Sequence, residues 1–132
     1  MEIGLLSIIV PAFKQEGTIV RDLKRIKGVL DKLRCPAELI CVVDGKVDQT
    51  FEKASKFAKK HNNVKTIGYD TNRGKGYAVR FGMAESKGDI VAFIDSGMDL
   101  NPNGLSMLLE HLEWYNADII VGSKRHPVSK ID

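Results

Sequence analysis

Short apolar runs and amphipathic stretches alternate along this chain. The runs are Leu5–Val10, Glu38–Val43, Val64–Gly68, Asp89–Ile94 and Asp118–Val121, each bounded by turn residues and rich in β-branched side chains. Runs this short and this continuously apolar are expected of strands covered on both faces. Between the first two, Ile19, Leu23, Ile26, Leu30 and Leu33 recur at three- and four-residue steps with basic residues elsewhere, which predicts an amphipathic helix. A second helix is expected around Phe51, Ala54 and Phe57 or Ala58, and a third from about Gly76 to Ser86. A fourth is expected to pack Leu105, Leu108, Leu109 and Leu112, with Asn101 as N-cap and Pro102 at its first helical position. Repeated strand–helix–strand order predicts an α/β fold of three layers, α/β/α, around a mainly parallel sheet.

Composition narrows the class without naming a chemistry. With 132 residues, 43% hydrophobic and 28% charged, the chain is one globular domain and neither a disordered tail nor a membrane bundle. The net charge of +3 comes from interleaved acids and bases, which reads as solvated helix faces rather than a nucleic-acid groove. No apolar run approaches the ~20 residues of a membrane span, and the opening lacks the basic start and cleavage site of a signal peptide. Cys35 and Cys41 have neither redox-pair nor metal spacing and are read as reduced thiols, in keeping with a cytoplasmic setting. His61, His111 and His126 form no zinc pattern, and no Gly-x-Ser-x-Gly elbow is present.

In a parallel sheet, ligands bind beyond the carboxyl ends of the strands, so the residues following each run carry the candidate chemistry. They are Pro11 to Glu16, then Asp44-Gly45, then Asn72-Arg73-Gly74-Lys75-Gly76, then Asp95-Ser96-Gly97-Met98-Asp99, and last Gly122-Ser123-Lys124-Arg125. Asp44 is suited either to a base or ribose hydroxyl or to capping the next turn, and Asp48 to capping a helix. The segment at residues 72–76 has glycines for close backbone approach and a lysine beside a helix start, but completes neither a P-loop nor a dinucleotide fingerprint. Asp95 and Asp99 offer hard oxygen ligands to Mg²⁺ or Mn²⁺, while Asp99 is equally suited to begin a helix.

Taken in order, these segments resemble the nucleotide-binding portion of family-2 glycosyltransferases of the GT-A, Rossmann-like fold, in particular the polyprenyl- or dolichyl-phosphate sugar transferases. Ile8 to Ile19 is similar to the family's strand followed by "PAYNE", and Val42 to Thr50 to its "VDDGSxDxT". Asn72-Arg73-Gly74-Lys75-Gly76 with Ala78 and Gly82 matches "NxGKGxAxxxG". Gly88-Asp89 with Phe93-Ile94-Asp95 resembles "GDxxxFxDAD", and Gly122 to Arg125 its "GSR" element. The resemblance implies a nucleotide-sugar-binding domain over residues 1–132 that takes a UDP- or GDP-hexose. Pro11, Ala12, Phe13, Gln15, Glu16, Asp44, Lys75 and Gly76 are then expected at the nucleotide. Asp95 and Asp99 are expected at the metal and the reaction, and Lys124 and Arg125 at the phosphate of a polyprenyl-phosphate acceptor. Inverting displacement of the nucleoside diphosphate follows, with Mg²⁺ or Mn²⁺ as cofactor.

Four departures stand out. Val43 occupies the first position of the paired acids, Gln15 stands where a glutamate is usual, and Gly97 replaces the second acid of the metal motif. The chain is also shorter than the family's catalytic domain, so the fold is expected to lack its C-terminal side. These departures favour, as the alternative, a non-catalytic nucleotide-sugar-binding module or an inactive fragment. A sugar nucleotidyltransferase is disfavoured because no glycine- and arginine-rich loop follows the first run. A peripheral membrane association and a homo-oligomer through an exposed sheet edge complete the expectations.

Overall fold

The computed structural model describes residues 4–33, 35–88 and 90–94, together with the backbone of residues 119–121. In chain order the elements are β1 (Leu6–Ala12), α1 (Ile19–Leu30), β2 (Ala37–Asp44), α2 (Thr50–Lys59), β3 (Val64–Tyr69), α3 (Lys75–Glu85), β4 (Ile90–Phe93) and β5 (Ile119–Val121). The fourth expected helix, with Asp95, Asp99, Lys124 and Arg125, lies outside the described residues.

The five strands form one sheet in the order β3-β2-β1-β4-β5, every neighbouring pair parallel. β1 lies at the centre between β2 and β4, which is why all seven of its residues are buried. The strand runs two residues past its expected end at Val10, because β2 continues to pair with it through Ala12↔Val43. Pro11 is tolerated within it for a specific reason. The Ile94 N–H donates to the Ile9 carbonyl at 2.9 Å, so Ile9 faces β4. Pro11, two residues on, lies past the described β1–β4 register, which ends at Ile9↔Phe93, in keeping with the preference of proline for strand ends.

Alternation along the strands divides the core into two layers. Leu6, Ile8, Val10 and Ala12 of β1 pack with Leu39, Cys41 and Val43 of β2 under Ile19, Leu23, Ile26 and Leu30 of α1 and Ala54 and Phe57 of α2. Ile9, Ile40 and Val42 face the opposite layer, where they meet Ala78 of α3. Helices therefore cover both faces, as the strand–helix alternation predicts. Helix α3 approaches the sheet closely: a Cβ at Gly82 would stand 2.7 Å from Ile9 Cγ2 and 2.9 Å from Val42 Cγ2. Ala78 and Gly82, four residues apart on one helix face, are thus packing residues. The alanine and last glycine of the third motif serve helix–sheet contact rather than chemistry.

Candidate nucleotide-binding cleft

A cleft of about 370 Å³ opens at the carboxyl edge of β1 and β2, lined by Pro11, Ala12, Phe13, Gln15, Asp44, Asn72, Gly74 and Lys75. Three chain segments that are distant in sequence meet there. The first leaves β1 through Phe13, which is exposed, and Lys14, whose φ of 50° is the one positive value at a non-glycine residue among those described. That left-handed turn reverses the chain so that the Phe13 N–H donates to Gln15 Oε1 at 3.2 Å. The Lys14 ammonium lies 5.3 Å from the centre of the Phe13 ring.

The second segment is the β2–α2 turn. Strand alternation puts Asp44 on the same side as Ile40 and Val42, facing α3, and pairs it in register with Tyr69 at the end of β3. The Asp44 carboxylate is 4% exposed. Its Oδ1 accepts the Tyr69 phenol at 2.6 Å and the Arg73 N–H at 2.8 Å. Its Oδ2 accepts Asn72 Nδ2 at 2.8 Å and the Gly74 N–H at 3.1 Å. Asn72 Nδ2 also donates to the Asp44 carbonyl at 3.1 Å. Burial, and then this hydrogen bond to a carboxylate, push the Tyr69 phenol well above its ordinary range. Gly45 makes the turn possible: its φ is +104°, and a Cβ there would lie 3.0 Å from the Asn72 nitrogen.

Further along the same turn, Asp48 Oδ1 accepts the Thr50 N–H at 2.9 Å and the Thr50 hydroxyl at 2.6 Å. The Thr50 hydroxyl, fully buried, in turn accepts the Gln15 N–H at 2.8 Å. The hydrogen bond from the Thr50 side chain, first among several, holds the Asp48 carboxyl below its ordinary range. Gln49 takes the N-cap position of α2, so Asp48 stands one residue before the place its spacing suggests; it accepts the first N–H of the helix and anchors the hydroxyl that holds the β1–α1 loop.

The third segment runs from β3 into α3. Gly74, with φ of 95°, precedes the helix, and its carbonyl accepts the Ala78 N–H at 3.1 Å. Lys75 lines the cleft, with its ammonium 5.6 Å from the Phe93 ring centre. Tyr69 packs edge-on against Tyr77 and Phe81, each at 5.1 Å, which backs this side of the cleft with aromatic surface.

Six of the residues expected at the nucleotide therefore meet in one cleft: Pro11, Ala12, Phe13, Gln15, Asp44 and Lys75. Glu16 and Gly76 are outside its lining; the Glu16 carbonyl accepts the Lys53 ammonium at 3.0 Å. Asn72 and Gly74 line the cleft too; they belong to the segment expected to approach a ligand but not to the residues assigned to the nucleotide. Their signal is present in the Asn-x-Gly spacing of the third motif, but its meaning depends on Asp44, 28 residues earlier. Among the described residues no group of three or more His, Cys, Asp or Glu side chains is placed to hold a metal ion. Burial pushes the Cys41 thiol up to about 12, so it stays protonated beneath α1. No helix among the described residues is long and apolar enough to cross a membrane.

An α/β domain with this strand order, and a polar cleft at the carboxyl edge of its central strands, has the layout of a nucleotide-binding domain. Comparison with known proteins is more specific. Residues 7–131 match the model of Glycosyl transferase family 2, and the chain belongs to that family. The dolichyl-phosphate beta-glucosyltransferase of Drosophila melanogaster is 34% identical over 92% of this chain and 41% of its own length. The chain spans about half or less of the length of the curated relatives it matches. Among solved structures, the mannosyltransferase PcManGT from Pyrobaculum calidifontis, in complex with GDP-Man and Mn²⁺, superposes with a TM-score of 0.70 at 22% identity. That match covers 81% of this chain and 32% of that one, and it establishes the GT-A fold. Glucosyl-3-phosphoglycerate synthase from Mycobacterium tuberculosis, in complex with Mn²⁺, UDP and glucosyl-3-phosphoglycerate, superposes with a TM-score of 0.64 at 26% identity. It covers 83% of this chain and 39% of that one.

Proposed function

We propose that residues 1–132 form the donor-binding part of a glycosyltransferase and hold the nucleoside diphosphate of a UDP- or GDP-hexose in the cleft. The observation that carries this reading is the convergence of Pro11, Ala12, Phe13, Gln15, Asn72, Gly74 and Lys75 on one cleft at the carboxyl edge of a parallel sheet. The exposed Phe13 ring offers a face for a nucleobase, and the Lys75 ammonium a counter-charge for phosphate. A UDP complex of a structure 26% identical supports the same use of the fold.

The transfer is displacement at the anomeric carbon. An oxygen of the acceptor forms the new bond to that carbon as the bond to the diphosphate oxygen breaks. The proposed acceptor is a polyprenyl or dolichyl phosphate, supported by the dolichyl-phosphate relative. Such a phosphate is already anionic, so it needs no strong general base, and Lys124 and Arg125 are the proposed residues for its charge. Asp95 and Asp99 are the proposed carboxylates for Mg²⁺ or Mn²⁺. Ile94, the residue before Asp95, is bonded to Ile9 of β1, two residues short of the cleft-lining Pro11, and carboxylate oxygens suit either cation. A bound divalent cation would neutralise charge on the leaving diphosphate. Gly97 supports a second reading, a module that binds the donor without transfer, since only a backbone carbonyl is available where the family places an acid.

Calorimetric titration of the chain with UDP, GDP and their hexose conjugates, with and without Mn²⁺, tests both readings. Mn²⁺-dependent binding of one nucleotide supports the transferase, and transfer to polyprenyl phosphate then completes the assignment. Mn²⁺-independent binding supports the module. A folded chain that binds neither nucleotide refutes both.

A further inference from the structure

The β2–α2 turn begins with Asp44, a carboxylate that the family resemblance sends to the ligand, yet the hydrogen bonds of this turn run to the protein itself. We infer that Asp44, Asp48 and Thr50 are positioning residues: this one turn sets both walls of the cleft by hydrogen bonding, without its carboxylates contacting the bound nucleotide. The inference rests on the nucleotide-binding reading above and deepens it.

A carboxylate offers about four acceptor positions, two on each oxygen. At Asp44 all four are filled by protein donors: the Tyr69 phenol and the Arg73 N–H on Oδ1, Asn72 Nδ2 and the Gly74 N–H on Oδ2. A ribose hydroxyl or base N–H would have to displace one of them, leaving a donor unpaired in a site where the acid is 4% exposed. What Asp44 does instead is fix residues 72–74 and so the position from which Lys75 and α3 begin. The opposite wall is held from the other end of the turn. Thr50 Oγ1 accepts the Gln15 N–H and donates to Asp48, so the threonine's rotamer is set by the aspartate, and the loop carrying Phe13 and Gln15 is set by the threonine. Gly45 closes the arrangement by bringing the turn within contact of Asn72.

Positioning and direct contact differ in what they predict. Loss of a group that touches the base weakens some nucleotides and spares others. Loss of a wall-setting group weakens all of them alike. The test therefore joins two measurements on the whole chain: amide hydrogen exchange at Gln15, Arg73 and Gly74 without ligand, and calorimetric affinities for UDP, GDP, CDP and ADP. Asp44→Asn is expected to release protection at Arg73 and Gly74 and to weaken every nucleotide that binds by about tenfold or more, with their ratios unchanged. Tyr69→Phe and Asn72→Ala, which remove donors while keeping the acid, report the same clamp should Asp44→Asn fail to fold. Thr50→Val is expected to release Gln15 and weaken all nucleotides, and Thr50→Ser, which keeps the hydroxyl, to restore both. Unchanged exchange in the Asp44 and Thr50 variants, or a loss confined to one base, overturns the inference. If the wild type binds no nucleotide, the reading of the cleft fails, and the exchange arm still decides whether the turn holds residues 15 and 72–74.

Discussion

The two ends of β2 make the same kind of connection with different results. On its α3 face the strand reads Glu38, Ile40, Val42, Asp44: a carboxylate at each end and two buried aliphatic side chains between them. Glu38 Oε2 accepts the Ser7 hydroxyl and, at 2.8 Å, the Lys87 N–H, while the Gly88 N–H donates to Ser7 Oγ at 2.9 Å. Those bonds fasten the chain just after α3. Asp44 fastens the chain just before it, through Asn72, Arg73 and Gly74. The six-residue separation on the strand spans ~20 Å, close to the ~16 Å of an 11-residue helix plus its flanking residues. One strand therefore grips the α3 unit at both ends. The amino-edge grip is closed: a Cβ at Gly88 would stand 2.5 Å from Ser7 Oγ. The carboxyl-edge grip borders a cleft of about 370 Å³. Similar bonds thus give stability at one edge and shape a site at the other.

The largest break in this symmetry is expected from Asp44→Ala. Four donors lose their acceptor, and the predicted outcome in urea denaturation is a loss of roughly 3 kcal/mol together with loss of nucleotide affinity. Gly82→Val attacks the same helix between its two anchors. Ile9 and Val42 side-chain atoms already lie 2.7 and 2.9 Å from where its Cβ would stand, and the overpacking is expected to cost about 2 kcal/mol in the same assay. At the amino edge, Ser7→Ala removes one buried hydroxyl and leaves the Gly88 N–H unpaired. A loss of about 1 kcal/mol with nucleotide affinity unchanged is expected, and a parallel loss of affinity would show that the two edges are coupled.

The smallest effect concerns acid. Asp48 is held below its ordinary carboxyl range in the folded chain, so the unfolded chain binds more protons as pH falls through ~4. Its contribution is fully present above that ordinary range and is lost as pH falls through the lower folded value. The stability advantage of the wild type over Asp48→Asn is therefore expected to be constant near neutrality and to shrink in acid, as read from urea midpoints across the pH series.

Much of the molecule was legible along the chain because strand burial and helix amphipathicity are periodic and local. The five strands fall where the apolar runs predict, with β1 longer by Pro11 and Ala12, and α1 to α3 fall where they are predicted, except that α1 ends at Leu30, short of Leu33. The parallel sheet and its polar carboxyl edge follow from strand–helix alternation. So does the convergence of Pro11 to Phe13, Gln15, Asp44 and Lys75. What tertiary structure alone decided is the role of each polar group at that edge. Asp44 next to a glycine suits a ligand or a turn equally well until the donors of residues 69–74 are seen to fill it. Thr50 is only the closing threonine of the second motif until its hydroxyl meets Gln15, 35 positions earlier. Periodicity reports which face a residue takes, since backbone geometry repeats every two or 3.6 residues. Hydrogen-bond partners separated by dozens of positions follow no period, because register and strand order bring them together only when the sheet has formed.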